Sequence, residues 1–198
     1  MNNIQFPVSL SFKISTLSND FTATDANGNT IAYVKQKMFK LVEDVSVFND
    51  NSKSQLNYSI KANKWLDFSA AYNFTNHNGA ELGKIVRKGW ASIWKARYEI
   101  YDENQQQDLL IQEENGWVKV FDALLCEIPF LGLVSGYFFN PSYMVSRPDG
   151  TQVVRLKKES SFFGRKFSVS KLAEFEKGEE ERLILGLMMM ILLERRRG

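Results

Sequence analysis

Apolar and polar residues alternate along most of this chain, and the alternation gives way only near its end. In "PVSLSFKIS", Val8, Leu10, Phe12 and Ile14 fall on one face of an extended strand and the polar residues fall on the other. The same period of two runs through "FTATD", "TIAYVKQK", "DVSVFN", "QLNYSIKA" (Leu56, Tyr58, Ile60) and "LDFSAAYNF" (Phe68, Ala70, Tyr72, Phe74). It continues through "ELGKIVRK", "WKARYEIYD" (Trp94, Ala96, Tyr98, Ile100), "DLLIQEE", "GYFFN", "SYMVSR", "TQVVRLKK" and "RKFSVS". The pattern predicts roughly a dozen short strands in an antiparallel meander. No linker rich in Pro, Gly or Ser divides them, so residues 1–198 read as one domain.

The turns between these strands repeat. "DANGNT", "NHNGAE" and "RPDGTQ" each place Asn-Gly or Asp-Gly between alternating runs, which predicts hairpins, of type I′ in "DANGN". Each is followed by an apolar residue beside basic ones: Val34 by Lys35, Ile85 by Lys84, and Leu156 by Arg155 and Lys157. An aromatic comes next: Phe39, Trp90, then Phe162 and Phe163. "DENQQQDLLIQEENGWVKVF" reads as a degenerate fourth copy, acidic where the others are basic. The irregular spacing argues for echoes within one sheet and against a solenoid. In "VFDALLCEIPFLGLVSGYFFNPSYMV", interruptions by Glu127, Pro129, Gly132 and Gly136 predict a short helical turn at 121–127 leading into two strands.

The alternation ends at Leu183. From there to Leu193 no residue is polar. Eleven residues of helix reach about 16 Å, against a hydrocarbon core of about 30 Å, so the run does not span a bilayer. Glu179, Glu180 and Glu181 precede it and Arg195, Arg196 and Arg197 follow it, the order a helix dipole favours, and this predicts a helix over 179–197. A helix with no polar face must be surrounded on all sides. Burial stabilises each such side chain by roughly 1.5–3 kcal/mol, too much in total to leave in water. A flat sheet covers one side of a helix, whereas a closed one covers every side. The expected fold is therefore mainly β, a closed antiparallel barrel around a hydrophobic C-terminal helix.

With "FTATDANGNTIAYVKQKMF", "GYFFNPSYMVSRPDG" and the apolar terminal helix in this order, the chain resembles the tubby C-terminal-like superfamily over about residues 6–197. That superfamily includes the LURP-one-related proteins and the phospholipid scramblases, and the chain looks like a single-domain member of bacterial type. The resemblance implies a twelve-stranded barrel and a central helix. It also implies a non-enzymatic binding protein, because tubby proteins hold phosphoinositide headgroups on basic barrel residues.

Composition narrows the chemistry. The net charge of +2 gives no case for nucleic acid. The N-terminus lacks the basic region of a signal peptide, and the one cysteine, Cys126, leaves no disulfide framework. A cytoplasmic protein, peripheral at the inner membrane face, is the expectation. His77 in "NHNG" reads as a turn residue, and Cys126, among Leu124, Leu125 and Ile128, as a small buried hydrophobe. No His/Cys cluster has zinc spacing. "DANGN" has Thr30 and Gln36 where a calcium loop needs Gly and an acid, so neither metal nor cofactor is expected. Carboxylates such as Asp102, Glu113 and Glu114 are what any barrel surface shows.

The remaining signal is basic. Lys35, Lys37, Lys84, Arg87, Lys88, Arg155, Lys157 and Lys158 follow the three hairpin turns, and they form one positive patch if those hairpins adjoin. The partner such strands would take is an anionic phospholipid or an acidic protein. A scaffold without lipid affinity and an enzyme or carrier with a pocket at a barrel end are the alternatives. The sequence leaves oligomeric state open.

Overall fold

The computed structural model describes residues 4–13, 19–36, 44–63, 70–88, 96–114, 141–159 and 166–195. Within them run twelve strands: β1 (Val8–Phe12), β2 (Phe21–Thr24), β3 (Thr30–Gln36), β4 (Asp44–Phe48), β5 (Leu56–Ala62), β6 (Ala71–Asn76), β7 (Glu81–Arg87), β8 (Arg97–Tyr101), β9 (Gln107–Glu113), β10 (Ser142–Ser146), β11 (Gln152–Lys158) and β12 (Lys166–Lys171). Each pairs antiparallel with its sequence neighbours, and β12 returns to β1 with Val8 opposite Val169. The sheet is thus a closed barrel with no free strand edge among these twelve. The helical turn expected at 121–127 and the strand "GYFFN" lie outside the described residues.

The period of two is what closes the wall around a dry lumen. Leu10, Phe21, Ala23, Val34, Ile60, Phe74, Ile85, Ile100, Ile111, Val145, Leu156 and Val169 alternate with more exposed residues and are fully or almost fully buried. Leu56 departs from the expected pattern. It opens β5 beside a register shift at Val47/Phe48 and stays 41% exposed.

Helix α1 (Glu179–Arg195) fills the lumen. All its residues from Leu183 to Leu193 are buried, whichever way they point. Its contacts reach opposite walls: Arg195 lies over the Phe12 ring of β1 at 4.3 Å, and Gly186 packs on Ile85 of β7 and Ile100 of β8. Glu176 N–H donates to the Glu179 carboxylate at 2.8 Å, so an acid in the first turn caps the chain that leads into the helix. The predicted helix and its charge order are both present, and residues 196–198 lie outside the described set.

The hairpins differ from the expected type I′. In β2–β3, Gly28 N–H donates to Asp25 C=O at 3.0 Å and Asp25 N–H to Asn29 C=O at 2.9 Å. Gly28 has φ +83°, while Asn27 is not left-handed. This is a type I turn closed by a left-handed residue, the three-residue hairpin loop. Asp25 forces it by accepting from the N–H groups of Asn27 and Asn29 at 2.9 and 2.8 Å. The same build recurs at Asn76–Gly79, Arg147–Gly150 and Asp102–Gln105, so the degenerate fourth copy shares the turn, with Gln105 at φ +64° in the glycine position, while its residues 115–121 lie outside the described set.

Candidate functional site

Strand direction sorts the charges. In a meander, odd-numbered strands finish, and even-numbered strands start, at one end of the barrel. The hairpins β2–β3, β4–β5, β6–β7, β8–β9 and β10–β11 turn at the other end.

The hairpin end exposes several acids, alongside the exposed Lys53 and Lys177. Glu103, Glu174 and Glu176 are 53%, 93% and 72% exposed there. Asp102 and Asp149 brace turns beside them. The arginines at this end are consumed. Arg147 donates to Glu179 at 2.8 and 2.7 Å, and to the Glu174 carbonyl at 2.7 Å. Arg182 donates to Asp108 at 2.6 Å and to Glu103 at 3.3 Å. Arg182 reaches that position because Gly83 and Gly178, both with positive φ, leave the space beside it open.

The opposite rim reverses this arrangement. Lys35 lies near the end of β3, Lys61 near the end of β5, and Arg87 and Lys88 at the end of β7, whereas Lys13, which follows β1, turns its ammonium away to Asn51 of the β4–β5 turn at 2.6 Å. Lys157 and Lys158 close β11, while Arg97 opens β8 and Lys166 opens β12. Arg195 brings the helix terminus to the same end. Here the acids are the consumed partners. Asp20, Asp44, Glu99 and Glu113 are 3%, 7%, 6% and 0% exposed. The Tyr33 hydroxyl donates to Asp20 at 2.6 Å and the Tyr98 hydroxyl to Glu194 at 2.5 Å. Glu99 accepts from Tyr101 at 2.6 Å and pairs with Lys88 at 2.9 Å and Arg97 at 3.5 Å. Two cations on one carboxylate leave that part of the rim net positive. Burial would lift the Glu99 carboxyl, but hydrogen bonds from Tyr101 and Lys88 and the charges of Lys88 and Arg97 bring it below its usual range. Its bond to Glu99 raises the Lys88 ammonium above the ordinary lysine value, so Lys88 stays charged.

The eight basic positions read from sequence therefore divide. The hairpin strands β3, β7 and β11 are separated by three strands in each direction, so they form no single lateral patch. Lys35, Arg87, Lys88, Lys157 and Lys158 instead share one rim. Arg87 follows the inward face of β7, opposite Tyr98, and its Nε and Nη2 are buried without a hydrogen-bond partner among the described residues. Lys84 and Arg155 stand farther from the rim. Lys84 bonds Gln105 and lies 5.3 Å from the Tyr101 ring centre, and Arg155 pairs with Glu114 at 2.9 Å. Lys37 lies outside the described residues, as does Cys126. His77 is an exposed hairpin-tip residue, as expected. Lys61, Arg97 and Lys166 escaped the sequence reading. Alternating strand direction would have found them, since each flanks the same rim from an odd strand's end or an even strand's start.

Among the described residues no group of His, Cys, Asp or Glu is arranged to hold a metal ion, and no helix is long and apolar enough to cross a membrane.

A closed twelve-stranded antiparallel barrel threaded by a hydrophobic C-terminal helix is the architecture expected of the tubby-like class. The LURP-one-related family model matches residues 30–191, most of the chain. The chain belongs to the LURP-one-related family. No curated protein and no solved structure matches it.

Proposed function

We propose that this chain is a non-enzymatic binding protein that docks through its basic rim on an anionic lipid surface. The observation that supports this is the axial sorting of exposed charge. Among the described residues, Lys61, Lys157 and Lys166 are exposed at the rim while Asp20, Asp44, Glu99 and Glu113 are buried, and at the hairpin end Glu103, Glu174 and Glu176 are exposed while Arg147 and Arg182 are held in ion pairs. Basic residues near a membrane carrying anionic lipid contribute about 1 kcal/mol each, within a Debye length of about 8 Å. In a cell such a surface is the cytoplasmic leaflet.

Co-sedimentation with vesicles tests the reading. Vesicles of phosphatidylcholine with phosphatidylserine retain the protein, vesicles of phosphatidylcholine alone do not, and added salt releases it. Equal partitioning to the two kinds of vesicle, or none to either, overturns it, and retention by an acidic protein in place of the charged vesicles would move the function to a scaffold.

A further inference from the structure

We infer that the rim engages a laterally extended array of anions, several lipids at once, with the barrel axis along the membrane normal. This rests on the docking proposed above and adds to it the geometry of the ligand. Lys35, Lys88 and Lys157 sit at the ends of β3, β7 and β11, four strands apart in a ring of twelve. They are therefore spaced at equal thirds of the circumference. Strands about 4.8 Å apart and tilted by about 40° close twelve-fold into a wall roughly 24 Å across. Neighbouring positions in such a triad are about 20 Å apart, more than twice the Debye length.

Two consequences follow from that separation. No single phosphate headgroup bridges two of these lysines, so the triad cannot act as one pocket. Each lysine also responds to its own patch of surface without screening or helping the others, so the three contributions add. A barrel lying on its side would bring one position to the membrane and lift the other two away. Equal engagement of all three requires the axis to stand upright. The exposed acids Glu174 and Glu176 at the hairpin end oppose the inverted orientation by like-charge repulsion.

The full chain and the variants Lys35→Gln, Lys88→Gln and Lys157→Gln, singly and combined, are titrated with phosphatidylcholine–phosphatidylserine vesicles, and circular dichroism verifies each fold. Each single change weakens binding about fivefold, the factor equivalent to about 1 kcal/mol per basic residue. The triple variant loses about a hundredfold, and soluble glycerophosphoserine at millimolar concentration releases nothing. If one substitution carries nearly the whole loss while the other two are silent, or if the soluble headgroup releases the protein, the upright multi-lipid mode is overturned while docking by the rim survives. If the unmodified chain fails to distinguish charged from neutral vesicles, both fall together.

Discussion

Arg147, at the foot of β10, grips Glu179 in the first turn of the central helix with two N–H groups at 2.8 and 2.7 Å. Glu179 is 1% exposed, so its charge is tolerable only while this partner is present. The bonds to Glu179 raise the Arg147 guanidinium further above its ordinary value, so Arg147 stays charged. Arg147→Ala strands a buried carboxylate and should cost about 3 kcal/mol, read as a lower midpoint in urea unfolding. Replacing the exposed Glu174 by Gln, on the same surface, should shift the midpoint by no more than about 0.5 kcal/mol.

Gly186 is the gap in the apolar run, and Ile100 of β8 occupies it. A Cβ at residue 186 would overlap the Ile100 side chain, with Ile85 close behind. Gly186→Ala gains about 1 kcal/mol in helix propensity and loses about 1–3 kcal/mol to overpacking. The loss wins because the neighbours belong to a fully buried wall. Ile100→Val, alone costing about 1 kcal/mol, removes the methyl that collides. The double variant should therefore be more stable than the sum of the two single changes allows, a coupling that a double-mutant cycle measures directly.

The buried tyrosines set the alkaline limit. Burial, followed by the Glu194 charge and its hydrogen bond, holds the Tyr98 hydroxyl protonated well above the usual tyrosine range. Burial and then Glu181 act the same way on Tyr58, and burial with Glu194 and Glu113 on Tyr143. In the unfolded chain these groups ionise near pH 10. Above that pH the unfolded state releases protons that the folded state keeps, so stability is fully present below about pH 10 and falls as pH rises. The limiting slope is about 1.4 kcal/mol per pH unit for each such tyrosine. Urea midpoints measured from about pH 8 to pH 11 should be flat and then descend, and Tyr98→Phe should make the descent shallower.

The strands were legible because one face of every strand meets the helix and the other meets solvent, and that asymmetry is written residue by residue in "PVSLSFKIS" and "LNYSIKA". The helix was legible because Leu183 to Leu193 leave no polar face to expose. The turn type was not. Asn-Gly suits two hairpin geometries, and what selects between them is the Asp25 side chain bonding its own backbone. Gln105 shows the same limit from the other side, because it occupies a left-handed position with no glycine to announce it. The basic positions were visible as residue types but not as a site. Lys35 and Lys157 lie far apart in sequence and on strands that never touch. They become related only through strand direction, and through the removal of nearby acids by partners such as Tyr98 for Glu194.

The closure of β12 on β1 also governs how this protein is made. Val8 waits for Val169, and the rod that fills the lumen follows both along the chain. A nascent chain therefore delivers its inward-facing Phe, Ile and Val residues to the cell before the side chains that will cover them have left the ribosome. Chaperone dependence during synthesis, and slow spontaneous renaturation of the finished chain, are the expected biosynthetic signature of a wall translated ahead of its own filling.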